Sequence, residues 1–291
     1  MTFEGVFTAL VTPFRDDALD EKALRDLVER QIAGGIDGLV PCGTTGESVT
    51  LRGDEHARVV RIVAEQAKGR VPVVAGAGSS ATAKTIELSQ TVREAGADGL
   101  LLVCPAYNKP TQEGLEAHFR AVAKEVPLPT ILYNIPGRTS VDLQVDTLER
   151  LSDVKAIVAI KEATGDVGRS QQIAARCGDR FSILSGDDAL TLGLLAVGGR
   201  GLISVTANLL PERVGDVVRR FRSGDVQGAQ KAQLSLLGVY EAMFFETNPG
   251  PIKFAVARAG HIAPEIRLPL VWPTEATQGR VAQALEAAGV G

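Results

Sequence analysis

Two hydrophobic periods alternate along the chain. Short unbroken apolar runs, bounded by Gly, Pro or Asp, give way to longer stretches in which apolar residues return every three or four positions. The first kind reads as a strand buried on both faces, the second as a helix that buries one side. The runs lie at residues 6–11, 38–42, 71–75, 99–104, 130–133, 156–161, 181–185 and 201–205. Between them the spacing predicts helices such as 21–33, with Asp20 as N-cap and Leu24, Leu27, Val28 and Ile32 on one face, and likewise 83–95 and 114–126. One unit recurs. Gly34-Gly35-Ile36-Asp37-Gly38-Leu39-Val40-Pro41-Cys42-Gly43 returns closely at residues 95–105 and loosely at residues 198–205, a helix end running through glycine into a strand.

Eight strands alternating with helices imply a parallel sheet closed into a (β/α)8 TIM barrel, an α/β fold expected over residues 1–210. The remainder, 211–291, is helical in pattern at 212–222, 226–245, 251–259 and 275–287. No Pro/Gly/Ser-rich linker isolates it, so it is expected to pack on the barrel as an appended C-terminal helical region. A doubly wound open sheet is the structural alternative. Its Gly-rich dinucleotide fingerprint is missing after the first strand, where Thr12-Pro13-Phe14 stands.

Composition changes this picture little. With 45% hydrophobic and 23% charged residues among 291, the chain is ordinary globular material. A net charge of -4 argues against nucleic acid or an anionic membrane as the main partner. The N-terminus lacks a secretory pattern, and no apolar run reaches the ~18 residues of a membrane span. Cys42, Cys104 and Cys177 are odd in number and far apart, which suits a reduced cytoplasm and offers no metal-ligand spacing.

The sixth run carries the sharpest chemical signal: Ile157-Val158-Ala159-Ile160 leads straight into Lys161 and a Gly165-Asp166 turn. Strict alternation would put Ile157, Ala159 and Lys161 on one side and Val158 with Ile160 on the other. An ammonium at the end of a buried strand is desolvated, which favours the neutral, nucleophilic amine needed for a Schiff base. A strand-end lysine that escapes into solvent is the competing reading.

In a barrel, chemistry sits where strands end and βα loops begin. There the chain offers Gly43-Thr44-Thr45-Gly46-Glu47, suited to a carboxylate through backbone N–H groups and two hydroxyls, or else an ordinary Gly-rich turn. Two of its three tyrosines, Tyr107 and Tyr133, stand at successive strand ends, as proton relays or as core-edge phenols. Arg138, beyond a Pro-Gly turn, either clamps a substrate carboxylate or lies solvated at the surface. Gly186 and Ile203 would contribute backbone carbonyls. Asp187 and Asp188 read as helix caps and not as metal ligands, and His56, His118 and His261 as non-catalytic. One lysine, two tyrosines and a hydroxyl pair suffice for imine chemistry without a cofactor.

At these residues the chain resembles the pyruvate-dependent class I aldolases, and among them the dihydrodipicolinate synthase family. The matching segments are Gly43–Glu47, Tyr107-Asn108-Lys109-Pro110, Tyr133-Asn134-Ile135-Pro136-Gly137-Arg138-Thr139, Ile160-Lys161-Glu162-Ala163, Ser185-Gly186-Asp187-Asp188 and Asn248-Pro249-Gly250-Pro251. The resemblance implies a Schiff base between Lys161 and pyruvate, with Tyr133 transferring protons. Thr44 and Tyr107, the latter from a neighbouring subunit, would complete the relay. It further implies that Thr45 binds the pyruvate carboxylate, Arg138 the carboxylate of L-aspartate-4-semialdehyde, and that the carbonyls of Gly186 and Ile203 line the pocket. A cytoplasmic homotetramer, built as a dimer of dimers and serving diaminopimelate and lysine synthesis, is the expected setting. N-acetylneuraminate lyase and the keto-deoxy sugar acid or hydroxy-oxoglutarate aldolases share Lys161 and Tyr133. The Thr44-Thr45 pair and the Gly137-Arg138 turn favour the synthase branch. From another class altogether, a barrel that binds without catalysis would have little use for Lys161, Tyr133, Thr44 and Tyr107 together. Three departures bear on regulation: Ala106 where many members have tyrosine, Lys84 where lysine-inhibited members have an acid, and Ser80 where they have an amide. The family's inhibitory site also uses Ser48 and His56, and a cation at Lys84 would repel lysine's amines.

Overall fold

The computed structural model describes residues 2–290. Eight parallel strands, β1 (Gly5–Ala9), β2 (Gly38–Val40), β3 (Val74–Gly76), β4 (Gly99–Val103), β5 (Thr130–Asn134), β6 (Ile157–Glu162), β7 (Ser182–Ser185) and β8 (Gly201–Ser204), lie side by side in chain order. The first pairs with the last, Phe7 opposite Ile203, and a bridge between Leu39 and Val73 joins β2 to β3. A doubly wound sheet would leave β1 and β8 apart; their pairing makes this a (β/α)8 barrel.

Around it run α1 (Glu21–Ala33), α2 (Gly53–Ala67), α3 (Thr82–Glu94), α4 (Gln112–Glu125), a short α5 (Pro136–Thr139), α6 (Val145–Leu151), α7 (Val167–Cys177), α8 (Thr191–Ala196) and α9 (Pro211–Arg222). The anticipated cap of α1 is present, Asp20 accepting from the Ala23 amide at 3.0 Å. The inward side chains Phe7, Val40, Val74, Leu101, Ile131, Ala159, Leu184 and Ile203 fill the barrel in one cluster. Outward residues such as Leu100, Leu132, Ile160 and Leu202 belong to the larger core beneath the helices.

Strict alternation fails in β6. Thr130 pairs with Ile157 but the next residue, Ile131, pairs with Ala159, so Val158 is an extra residue. Ile157 therefore joins Ile160 in the outer core, and Val158 packs against the interior cluster. Beyond the bulge the register is regular: Tyr133 lies opposite Lys161.

α9 lies against β1, α8 and the next helix, α10 (Val226–Ala242). With α11 (Gly250–Arg258) and α12 (Glu275–Ala287), α10 builds a further core in which Val239, Met243, Ile252 and Val281 meet Val11, Leu27, Val205 and Leu209 of the barrel. This core is continuous with the ends of β1 and β8. None of the described helices is long and apolar enough to cross a membrane.

The appended region is also tied to the barrel by charge. Lys253 of α11 and Glu47 of the loop after β2 are both wholly buried, with Nζ and Oε1 2.5 Å apart. The ammonium donates in addition to the Thr12 carbonyl at 3.0 Å, and the other Glu47 oxygen accepts from the Arg267 amide at 3.0 Å. Phe14 presents its ring to Lys253 Nζ at 4.5 Å and to the Arg267 guanidinium at 4.1 Å. That guanidinium in turn grips Glu55 through two bonds of 2.7 and 2.8 Å. Replacing Lys253 with Met should cost about 3–5 kcal/mol, because Glu47 would remain buried and unpaired. The double variant Glu47→Leu/Lys253→Met should lose less. Chemical denaturation of both checks this, and equal losses would refute the electrostatic account.

Candidate active site

Strand register decides where the amine goes. Lys161 and Tyr133 occupy paired positions on β6 and β5, both facing the barrel interior, and the ammonium lies 4.4 Å from the centre of the phenol ring. Lys161 is buried; it does not escape to solvent. Burial pushes its amine down to about 8 instead of the usual 10.5; the Asp188 carboxylate opposes that shift and the Arg138 charge adds to it. Tyr133 moves the other way. Burial pushes its phenol up to about 12, against the lowering influence of Arg138 and of the nearby Thr44 hydroxyl. The amine is thus readily neutral while the phenol keeps its proton, the combination needed for addition of an amine to a carbonyl.

Gly186 explains itself by proximity. A β-carbon there would come within 2.6 Å of the Ala163 side chain and 3.1 Å of Lys161 Cε. Only glycine leaves room for the lysine stem. Ile203 is buried inside the barrel.

The loop after β2 is wound tightly. The amides of Gly46 and Glu47 donate to Gly43 and Thr44 carbonyls at 3.1 Å each, and that of Ser48 to Gly43 at 3.3 Å. Those of Thr44 and Thr45 make no hydrogen bond among the described residues, so both remain for an anion. Cys42 and Glu47 take left-handed backbone angles, φ 56° and 53°. The turn is more than an ordinary Gly-rich one.

A cavity of ≈ 600 Å³ is lined by Thr44, Leu101, Tyr133, Arg138 and Asn248 among others, whereas Lys161, Thr45, Gly186 and Ile203 lie outside its lining. Thr45 is buried beside it, its Oγ1 accepting from Asn248 Nδ2 at 3.1 Å. Arg138 reaches back over the mouth and donates to the Asn248 carbonyl at 3.3 Å. Ser48, His56, Ser80, Lys84 and Ala106 line the outer part of the same cavity. There Lys84 pairs with Glu87 at 2.9 Å, and His56 Nε2 is engaged with the Gly76 carbonyl at 2.8 Å.

Tyr107 is not brought to this site. It is 95% exposed, on a left-handed backbone of φ 72°. The reading of Asp188 as a cap is also corrected. α8 starts beyond it, and Asp188 is fully buried, accepting from the Ser204 hydroxyl and, at 3.1 Å, from the Val205 amide. It ties the loop after β7 to the end of β8. Its neighbour Asp187 accepts from the Ala189 amide at 2.9 Å, a local turn. No group of three or more His, Cys, Asp or Glu among the described residues could hold a metal ion. Sequence reasoning missed Lys253 and the charge role of Asp188, and gave Asn248 no part beyond its place in the Asn248-Pro249-Gly250-Pro251 segment.

A buried amine of lowered basicity at a barrel strand end, faced by a protonated phenol and a hydroxyl, defines a lyase of the class I aldolase type. Full-length likeness narrows the class. The chain belongs to the dihydrodipicolinate synthetase family, whose family model matches residues 2–288. It is 51% identical, over 100% of both chains, to a 4-hydroxy-tetrahydrodipicolinate synthase of Nitratidesulfovibrio vulgaris strain DP4. Among solved structures it resembles the 4-hydroxy-tetrahydrodipicolinate synthase of Methylacidiphilum fumariolicum SolV, with TM-score 0.98, 44% identity and coverage of 99% of this chain and 96% of that one. It also resembles a chloride-inhibited dihydrodipicolinate synthase of Acinetobacter baumannii complexed with pyruvate, with TM-score 0.98, 41% identity and 100% of both chains covered.

The amine's position generates a pH prediction. Below about 8 Lys161 is protonated and unreactive, and above it neutral. The rate of imine formation with a small 2-oxo acid, followed by borohydride trapping, should therefore climb from about pH 7 to about pH 9 and then level. A rate that is flat or falls over this range would contradict the assignment.

Proposed function

We propose that this chain condenses pyruvate with L-aspartate-4-semialdehyde through an imine on Lys161, the reaction after which its relatives are named, in diaminopimelate and lysine synthesis. The observation that carries the reading is the buried Lys161 amine 4.4 Å from the Tyr133 ring, beside the Thr44 hydroxyl. The neutral amine attacks the ketone carbon of pyruvate, and Tyr133 gives its proton to the oxygen that leaves as water. The Tyr133 phenolate takes a methyl proton from the iminium to give an enamine, whose carbon attacks the aldehyde while Tyr133 returns the proton to the aldehyde oxygen. The amine of the semialdehyde then adds to the resulting iminium carbon and displaces Lys161. Thr44 and a neighbouring subunit's Tyr107 return protons to Tyr133; the 95% exposure of Tyr107 on its own chain is consistent with service elsewhere. Thr45 and the adjacent free amides hold the pyruvate carboxylate, and Arg138 the carboxylate of the aldehyde. The Gly186 and Ile203 carbonyls line the pocket. The working form in this reading is a cytoplasmic homotetramer, a dimer of dimers, with no cofactor.

The test is a coupled assay with pyruvate and aspartate semialdehyde, run beside N-acetylneuraminate cleavage, and borohydride trapping of pyruvate. Turnover of the first pair and an adduct on Lys161 are expected. Tyr133→Phe should slow turnover by about a hundredfold to ten-thousandfold. Cleavage of the sugar acid alone would overturn the choice of aldehyde, and no adduct on folded protein would overturn the mechanism.

Feedback by L-lysine should be weak or absent. Lys84, paired with Glu87, puts a cation on the wall of the outer cavity where the ligand's amines would need a carboxylate. Steady-state rates with added lysine check this, and half-inhibition at low-millimolar concentration would refute it.

A further inference from the structure

Asn248 stands outside the barrel, between α10 and α11, yet touches both residues assigned to substrate carboxylates. Its side-chain Nδ2 donates to Thr45 Oγ1 at 3.1 Å, and its backbone carbonyl accepts from Arg138 Nη2 at 3.3 Å. The residue is only 5% exposed, and its Oδ1 is buried with no hydrogen-bond partner among the described residues.

The orphaned Oδ1 requires an explanation, since a buried acceptor without a partner is costly. A threonine hydroxyl has one hydrogen to give and lone pairs to receive. With Nδ2 turned toward it, Thr45 receives from Asn248 and keeps its hydrogen free. With the amide reversed, Thr45 would donate to Oδ1 and have nothing to offer a carboxylate, which is an acceptor only. The two orientations therefore differ in whether Thr45 can bind an anion.

We propose that Asn248 is a positioning residue that holds the Thr45 hydroxyl as a hydrogen-bond donor toward the carboxylate of the 2-oxo acid substrate. This rests on the assignment of Thr45 made above. Either orientation leaves one end of the amide unpaired, so what distinguishes the present one is that Thr45 keeps its hydrogen. Because Arg138 is held by the backbone carbonyl of the same residue, a side-chain substitution separates the two subsites: it disturbs the first substrate and spares the second.

The experiment is a double-mutant cycle on the full chain with Asn248→Ala, Thr45→Val and the pair together, measuring KM for each substrate, kcat and Tm. Asn248→Ala should raise KM for pyruvate about ten- to a hundredfold, with kcat and KM for the semialdehyde changed less than about threefold. On the Thr45→Val background, which lacks the hydroxyl, the same replacement should add almost nothing. Asn248→Asp keeps the shape but forces Thr45 to donate to it and repels the substrate. It should raise pyruvate KM further, and it serves as the reporter if the alanine variant does not fold. Unchanged pyruvate KM, losses that add in the double variant, or parallel loss of both KM values with kcat and Tm would overturn the inference. Borohydride trapping of pyruvate by the unsubstituted chain separates the two levels. A failed trap removes the function proposed above. A Lys161 adduct with an additive cycle removes only the role of Asn248.

Discussion

Two full charges with no access to solvent, on Glu47 and Lys253, join the loop that follows β2 to a helix that begins two hundred residues later. Neither group is stable there alone, because an ion taken out of water costs several kcal/mol unless every charge and hydrogen is answered. Here each is. The ammonium meets Glu47, the Thr12 carbonyl and the Phe14 face, and the carboxylate also meets the Arg267 amide. The left-handed backbone of Glu47, at φ 53°, is held by the same set. The pair thus contributes little net cohesion beyond what apolar residues of the same size would give. What it confers is definition: only one placement of α11 against the loop satisfies all the partners. The two threonines of that loop take their positions from it.

The amine shows a different balance. Burial lowers the basicity of Lys161, and the buried Asp188 pulls it back. Without that carboxylate the amine would be freer of its proton but would face the Arg138 charge unopposed. Burial raises the Asp188 carboxyl itself, and the Ser204 hydroxyl and the Val205 amide that bond to it work against that rise. Tyr133 has only Thr44 and Arg138 to offset burial, and its phenol stays protonated. Two groups paired in neighbouring strands are driven in opposite directions by the same dry surroundings, one toward the nucleophile and the other toward the acid.

What could be read from the chain alone follows from locality. The barrel came from the recurring helix-glycine-strand unit, and Lys161 and Tyr133 from their places at strand ends, because each of these is written within about ten residues. The bulge at Val158 was not legible: a continuous apolar run has no polar position to mark a slip in register, so Ile157 was put on the wrong side. Asp188 looked like a cap because adjacent carboxylates before a helix usually are; its partners lie on another strand. Lys253 and Asn248 act across some two hundred residues, where periodicity carries no information. Nothing in the local pattern marks Tyr107 as exposed, since its place at a strand end looks the same as that of Tyr133.

The long-range residues share a purpose that the local ones do not. Lys161 and Tyr133 sit on barrel strands, where the pleat and the register fix them. Thr44 and Thr45 sit in the loop after β2 and Arg138 in the short helix α5 beyond β5, connections that a barrel by itself leaves loosely held. Thr45 and Arg138 are each tied to Asn248, and the Thr45 loop is tied again through Glu47 to Lys253. The barrel strands therefore fix the amine and the phenol, while the appended helices hold the Thr45 loop and Arg138. Shifting the segment from Asn248 to Lys253 would leave the amine and phenol paired as they are but would displace Thr45 and Arg138. The two sets of groups can shift independently on this plan, because different parts of the chain hold them in place.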